Sequence, residues 1–528
     1  MVKSCGQPQY ITTLASALFF IIALYPLLVM CLKLPDADVQ YLLTLRQYEL
    51  LKNGFFLAGG VTIFSSFLGL PFALLLSHTD LYLKNIFRYL YLAPLIIPPY
   101  ISTISWIHIL GKNSYGNTYL MSLLSLKSPP FSMYNLWGAI WIMGLSYFPF
   151  VTLVCISGFK SIDTHMEEAA SLTSGKMGII KSIILPLSGP YIFASGIFVF
   201  IFSFINYHVP ALLEINTYPI EIFAQFSSYC NESAAVAFTL PLIIICLGLI
   251  LAQKYYMGKR SYVSLSTGEK SPWKLGKWQW PALFFVIIIL FLSVIVPIAD
   301  LIIAAGPLKS YVKAFRTSYM QIGYTLLWSC IAATVMMILG FFITYYIERT
   351  DGVISHTIDT LSIVLFAIPG TVIGIGLIRG WNSPFTDFIY KGSSIILMAY
   401  IARYIPFMIR GVSSSIKKID THLEEAGALT RVGWLKRMYT IIMPLAKPGL
   451  IAGWLITFIL SIGELDATLL VMPPGKTTLA VRIYTLMHYG ANKLVAALCL
   501  ILLICCVFPV IILLLVRMCY RKRRSLCA

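Results

Sequence analysis

The sequence predicts an all-α polytopic membrane protein with about twelve transmembrane helices in two homologous, parallel halves. Of its 528 residues, 59% are hydrophobic and 11% are charged, whereas soluble domains carry about 25% charged residues. Many windows hold about 20 apolar residues, the length that a helix needs to cross a bilayer. One polar passage, set between long apolar runs, occurs twice.

The repeat is read directly from the two polar passages. Residues 162–170 read IDTHMEEAA, and residues 419–427 read IDTHLEEAG, 257 residues later. An aromatic-proline step precedes each passage at the same offset. The offset becomes 258 at Pro186 and Pro444, so one residue is inserted between. A repeat of this length indicates two copies of one membrane unit.

The predicted spans follow from the apolar runs. They are roughly 11–34, 55–77, 87–110, 134–157, 188–213, 234–256, 282–306, 320–347, 358–380, 393–416, 447–472 and 494–518. We divide the chain into a first helix with its outer loop (1–54), a first unit (55–257) with polar loop 163–187, a linker (258–281), a lead helix (282–319), a second unit (320–518) with polar loop 420–445, and a basic tail (519–528).

Lysine and arginine predict the orientation, because they are enriched in cytoplasmic loops. With both termini in the cytoplasm, the linker, both polar loops and the basic tail lie inside, together with most of the 39 basic residues. Six spans per half make the repeat parallel. The first apolar stretch is longer than a signal-peptide core and lacks a following small-residue cleavage site, so we expect an uncleaved span.

Several classes of function are disfavoured by the composition. The net charge of +18 is explained by basic inner loops, and no basic stripe with interleaved aromatics predicts a nucleic-acid partner. The 11 cysteines are scattered without a CxxC pair, so we expect no disulfide framework and no metal site. No catalytic constellation stands out, so we expect a protein that is not an enzyme and has no cofactor.

A nucleotide site is also not expected. A P-loop requires a glycine five residues before its Gly-Lys pair. The pair at residues 475–476 has Leu470 at that position, and the pair at residues 175–176 has Ala170. If ATP drives the protein, a separate subunit must hydrolyse it.

Each polar passage predicts a short helix lying under the membrane. Asp163 and Asp420 are suitable N-caps, and the paired glutamates then fall in the first turn, where negative charge suits the helix dipole. Pro186 and Pro444 are expected to end this segment and begin the next span. A merely solvated loop has no reason to occur twice in register, so we favour docking of a partner.

At these residues the sequence resembles the permease subunits of binding-protein-dependent ABC importers, which have the MetI-like type I transmembrane fold. The resemblance implies that each loop holds a coupling helix for the ATPase. The implied coupling residues are Glu168, Ala169, Ala170, Gly175, Leu185, Pro186, Glu425, Ala426, Gly427, Gly433 and Pro444. The sequence departs from the family pattern at Ser174 and Arg431, where a glycine is usual, and at Gly427 and Met443.

The fused arrangement resembles a narrower group, the permeases of ferric-iron, thiamine and related importers. Residues 463–470 (GELDATLL) and 206–213 (NYHVPALL) carry this likeness. It implies a multi-pass protein of the bacterial plasma (inner) membrane, surrounded by lipid, with an ABC ATPase dimer inside and a substrate-binding protein outside. Ferric iron is the expected substrate; thiamine, a phosphonate, sulfate or a polyamine are alternatives. An ion-driven secondary transporter is the alternative class.

Two acids near the predicted outer end of the eleventh span, Glu464 and Asp466, form a candidate translocation site. A carboxylate within a span is costly and usually faces the bundle interior. Two positions apart, they do not share a face of a continuous helix. They are expected to line the path opposite Asn206 and His208, so that Glu464→Gln lowers uptake. The alternative is a structural pair with Arg403 or Arg379.

Overall fold

The computed structural model describes residues 9–32, 44–112, 114–258, 272–429 and 432–526. These residues are helical apart from turns and one isolated bridge between Thr79 and Trp273. Within them, nine helices are long and apolar enough to cross a membrane, or eleven if two bent pairs count as single spans. Ile11–Leu24 is a shorter apolar helix. The predicted all-α polytopic class is confirmed.

The α-helices of the first half are α1 Gln9–Phe19, α2 Tyr25–Leu32, α3 Leu45–His78, α4 Lys84–Leu90, α5 Pro99–Leu110, α6 Tyr115–Leu124, α7 Leu136–Lys160, α8 Thr164–Ser171, α9 Lys176–Ile179, α10 Leu185–Phe204, α11 His208–Leu212, α12 Tyr218–Ser227 and α13 Glu232–Gly258. Those of the second half are α14 Gln279–Leu290, α15 Val296–Ala305, α16 Leu308–Arg349, α17 Val353–Val364, α18 Gly370–Trp381, α19 Asp387–Tyr390, α20 Ser394–Ile416, α21 Thr421–Leu429, α22 Trp434–Arg437, α23 Met443–Ile462, α24 Asp466–Val471, α25 Leu479–His488 and α26 Asn492–Leu526.

The chain divides into two compact units. The first-half unit comprises residues 39–224 and 240–304, and the second-half unit comprises residues 1–38, 225–239 and 305–528. Each unit therefore contains most of one repeat together with the lead helices of the other. Most of the predicted linker, residues 259–271, and Arg431 lie outside the described residues.

In the first-half unit, α3, α7 and α10 pack together around a buried apolar core. Phe72, Ile142 and Phe148 are fully buried there. A Cβ at Gly69 would lie 2.8 Å from Val151 Cβ, so the missing side chain allows α3 and α7 to approach closely.

The lead helix α15 is fastened to this unit by buried polar contacts. Tyr115 donates a hydrogen bond to Asp300 (2.7 Å), and His108 Nδ1 lies 3.3 Å from the other oxygen of that carboxylate. Ser105 donates to the carbonyl of Pro297 (3.1 Å). A buried acid is tolerated when it is hydrogen-bonded, which these partners achieve.

The second-half unit repeats the central packing with α16, α20 and α23. A Cβ at Gly340 would lie 2.7 Å from Met408 Cγ. Met408 is the repeat equivalent of Val151, and Gly340 precedes the end of α16 by the same interval that separates Gly69 from the end of α3. The same close approach thus recurs, and the repeat extends through the spans that precede each polar loop.

Two predicted spans, 87–110 and 358–380, are not straight helices. The helices on either side of Pro98 and of Pro369 meet at 86° and 113°. Proline removes a backbone donor and crowds the preceding turn, so each helix stops and restarts there.

Four further boundaries differ from prediction. The spans after the polar loops begin at Lys176 and Trp434, before Pro186 and Pro444, and pass each proline through a π-helical turn. A widened turn accommodates a ring that would clash with a regular α-helix. Toward their other ends, the helices stop at Phe204 and Ile462 and restart at His208 and Asp466.

Candidate coupling loops and a buried charge cluster

The polar loops form the predicted short helices. Asp163 Oδ1 accepts the backbone N–H of His165, and Asp420 Oδ1 accepts that of His422, both at 3.0 Å. The predicted N-caps are therefore confirmed. Both helices are short: α8 ends at residue 171, and α21 ends at residue 429.

The first glutamate of each pair fastens the short helix to the end of the preceding long helix. Glu167 Oε1 lies 3.4 Å from His78 Nε2, at the end of α3. Glu424 accepts hydrogen bonds from Arg349 and Tyr345, both at 2.8 Å, at the end of α16. The sequence pattern did not predict these anchors, because the family motif points to the second glutamate of each pair.

A signal for the anchors exists in the repeat. His78 and Arg349 are the last residues of α3 and α16, the long helices that carry the equivalent glycines Gly69 and Gly340. Aligning span ends as well as loops would have placed a basic or imidazole side chain beside both loops.

The second glutamate of each pair and its neighbours are on the outside. The Glu168 side chain is 75% exposed and faces His165. Ala169, Glu425 and Ala426 are also exposed. Leu172 and Leu429, which are equivalent in the repeat, are 87% and 85% exposed. Single exposed leucines are common on protein surfaces, and these two differ from others in that they occupy equivalent positions of the repeat.

The remaining predicted coupling residues have simpler roles. Gly175 and Gly433 are the N-cap residues of α9 and α22, with ordinary negative φ angles and open space around them. A Cβ at Gly427, where the first loop has Ala170, would lie 2.8 Å from Ile441 Cδ1 and would require that side-chain end to shift. Leu185 is half-buried, whereas Pro186 and Pro444 are exposed.

The breaks in the spans have one design in both halves. Asn206 Oδ1 accepts the N–H of Val209 (3.0 Å), and its amide donates to the Tyr147 hydroxyl (3.2 Å). Glu464 Oε1 accepts the N–H of Ala467 (2.7 Å), and Oε2 accepts from the Tyr404 hydroxyl (2.5 Å). An amide and a carboxylate thus cap equivalent short helices.

The second half places a charge cluster at its break. Arg403 Nε lies 3.3 Å from Glu464, and its Nη2 donates to Asp466 at 2.8 Å. Both acids are buried. Because the helix is interrupted between residues 462 and 466, both acids reach one guanidinium, contrary to the expectation for a continuous helix. Arg379 instead pairs with Glu232.

The equivalent positions of the first half carry different groups. Ser146, the repeat equivalent of Arg403, bonds to a carbonyl of its own helix (2.9 Å). His208, the equivalent of Asp466, stacks on Tyr100 with 5.7 Å between ring centroids. Among the described residues, no three His, Cys, Asp or Glu side chains cluster closely enough to hold a metal ion.

The described residues thus form a multi-pass membrane protein built from a repeated helical unit, with one short helix fastened to a span end in each copy. Residues 65–262 and 336–518 match the family described as binding-protein-dependent transport system inner membrane component, and the chain belongs to this family. The resemblance seen in the sequence is confirmed: the chain is the permease component of an ABC importer.

Several relatives align with most of the chain. It is 26% identical to the Fe(3+)-transport system permease protein FbpB 2 of Haemophilus influenzae, over 85% of this chain and 86% of that one. It is 24% identical to the ferric transport system permease protein FbpB of Actinobacillus pleuropneumoniae, over 79% of this chain and 64% of that one. By contrast, the molybdenum transport system permease protein ModB of Escherichia coli is 27% identical over only 33% of this chain and 82% of that one.

Proposed function

We propose that this permease imports ferric iron. The observation that carries the proposal is the similarity to permeases named for ferric transport, which extends over most of the chain and across both halves. Relatives named for putrescine, sulfate and molybdenum match only 21–34% of the chain. Thiamine, a phosphonate, sulfate or a polyamine remain the alternative substrates.

The two short helices are the proposed docking points for a separate ATPase dimer. Glu168 and Glu425 project outward beside the exposed Leu172 and Leu429, while the first glutamates hold each helix on its long helix. Movement of a docked helix would therefore pass directly to the end of α3 or α16. ATP binding and hydrolysis belong to that partner, because no Gly-Lys pair in this chain has P-loop spacing.

The proposed orientation places both loops and both termini in the cytoplasm, following the basic residues. A substrate-loaded binding protein then engages the opposite face, and the permease alternates between two access states. The candidate residues for lining the path are Asn206 and His208 at the break in the first half, and Glu464 and Asp466 at the break in the second half. Interrupted helices at membrane depth are typical of sites that line a cavity.

Co-purification tests the coupling proposal. The double variant Glu168→Ala/Glu425→Ala should release a co-expressed ATPase while its thermal unfolding in detergent stays that of the wild type. Asp387→Ala serves as the matched control, since it removes an acid from a separate short helix, α19. An intact complex in the double variant would contradict the proposal.

Transport assays test the substrate. Cells lacking their own ferric importer should take up radiolabelled ferric iron when given this permease, its ATPase and its binding protein. Uptake must stop when the ATPase is inactivated. Uptake that persists without the ATPase and follows the proton gradient would identify the secondary-transporter alternative. Uptake of sulfate or a polyamine in place of iron would redirect the substrate assignment.

A further inference from the structure

The end of the linker between the halves is bound to the first coupling loop's anchor. The Trp273 N–H donates to the carbonyl of His78 (2.7 Å), and the Asp80 N–H donates to the carbonyl of Trp273 (3.2 Å). The Asp80 carboxylate also accepts the N–H of Leu275 (2.9 Å). Residues 272–275, which we call the strap, therefore lie alongside the chain that leaves α3.

The strap also contacts the loop through side chains. The Trp273 ring packs on the His78 ring, with 5.3 Å between centroids. His78 is the residue that faces Glu167 of α8. Lys176, which begins α9, donates through Nζ to the carbonyl of Lys274 (2.5 Å). The strap thus covers the anchor on one side and binds the loop on the other.

In the second loop, the aromatic side chain that packs against the anchor comes from the loop itself. Trp434 stacks on Phe342 (6.1 Å) and packs edge-on against Tyr345 (6.0 Å), and Tyr345 donates to Glu424. Trp434 and Lys176 are equivalent, because the offset that relates the two prolines also relates them. The first loop therefore has a lysine where the second loop has its packing tryptophan.

We propose that the strap holds the first coupling loop in position. Trp273 is a positioning residue that packs against the His78–Glu167 anchor as Trp434 packs against the Tyr345–Glu424 anchor. The linker supplies the aromatic group that the first loop lacks, and Lys176 binds the strap instead. This inference rests on the proposed function in one respect, since it assigns the anchored loop to ATPase docking.

Hydrogen exchange in the absence of any ATPase tests the packing role. Trp273→Ala should speed amide exchange of residues 164–171 about tenfold, which corresponds to about 1.4 kcal/mol, and leave residues 421–429 unchanged. Trp434→Ala should do the reverse. Trp278→Ala, which replaces a 72% exposed tryptophan just beyond the strap, should change neither. Unchanged exchange in Trp273→Ala, or an equal effect of Trp278→Ala, would overturn the proposal.

Transport by the complete importer tests the consequence. Trp273→Ala should lower the ratio of substrate moved to ATP hydrolysed several-fold, Trp273→Phe should keep most of it, and Lys176→Trp with Trp273→Ala should recover part of it. If Trp273→Ala accumulates poorly, Asp80→Ala, which removes the acceptor of the Leu275 N–H, should give a smaller loss in the same direction. A normal ratio in both variants contradicts the inference. If the exchange effects appear as expected but the chain binds no ATPase, the packing role of the strap is supported and the proposed function is contradicted.

Discussion

The two broken spans share one backbone design and differ in charge. In both halves a side-chain oxygen caps the short helix and the same side chain meets a tyrosine hydroxyl, with Asn206 in one half and Glu464 in the other. The second half adds Arg403 and Asp466 where the first has Ser146 and His208. The break therefore needs only a polar cap. Buried ion pairs contribute little net stability compared with apolar packing, so a role of the added charges in transport stays our prediction.

The largest effect is expected at Arg403. Arg403→Met would leave two buried carboxylates without their cation, which costs about 3–5 kcal/mol. Unfolding by SDS titration in mixed micelles measures the change. Ser146→Ala is the matched control and should cost less than about 1 kcal/mol, because only a bond within its own helix is lost. Adding Glu464→Gln and Asp466→Asn to Arg403→Met should recover much of the loss; no recovery would mean that the charges are not the cause.

A smaller loss is expected where the cluster meets the bend in the preceding helices. A Cβ at Gly370 would overlap Arg403 Nη1 and would lie 2.5 Å from Asp466 Cβ. Because the ion pairs hold that guanidinium in place, Gly370→Ala should destabilise the protein by about 1–3 kcal/mol through overpacking. The equivalent residue in the first half is Pro99, and Pro99→Ala should have a much smaller effect in the same titration. Equal losses of stability in the two variants would contradict the expected difference between the two breaks.

The cap in the first half is expected to contribute about 1 kcal/mol. Asn206→Leu removes the acceptor of the Val209 N–H, and loss of a helix cap costs about 0.5–2 kcal/mol. Asn206→Asp keeps the acceptor oxygen and should retain the cap. Hydrogen exchange of residues 208–212 reports the change locally. Faster exchange in both variants would show that the amide N–H donated to Tyr147, rather than the cap, holds this segment.

The smallest change in stability is expected for Glu464→Gln, which separates charge from capping. The variant keeps an oxygen for the Ala467 N–H, and Arg403 keeps its ion pair with Asp466. Unfolding should therefore shift by about 1 kcal/mol or less, although the negative charge of Glu464 is lost. Uptake should nevertheless fall, because the charge at the proposed path has changed. Normal uptake with normal stability would reduce Glu464 to a cap like Asn206 and leave Asp466 as the only candidate acid.

Sequence reasoning reached the loops because their signals are local. Asp163 and Asp420 precede helix-forming residues, and a side-chain cap depends only on the next two or three residues. The same reasoning failed at Pro186, because a π-helical turn is not visible in a pattern that assumes regular helix geometry. It also treated the approach to α14 as a plain linker, since nothing local to Trp273 indicates that it contacts His78, which lies far earlier in the chain.

By itself, the sequence determined the membrane class, the two-fold repeat, the short helices and the family, because apolar run length, internal offsets and motif residues are properties of the chain alone. Only the tertiary structure decided which acids meet Arg403, which glutamate anchors each loop and what the end of the linker contacts. Those pairings join residues that are distant in the chain, and they depend on where each helix stops. A one-dimensional pattern does not carry that information once a span is interrupted.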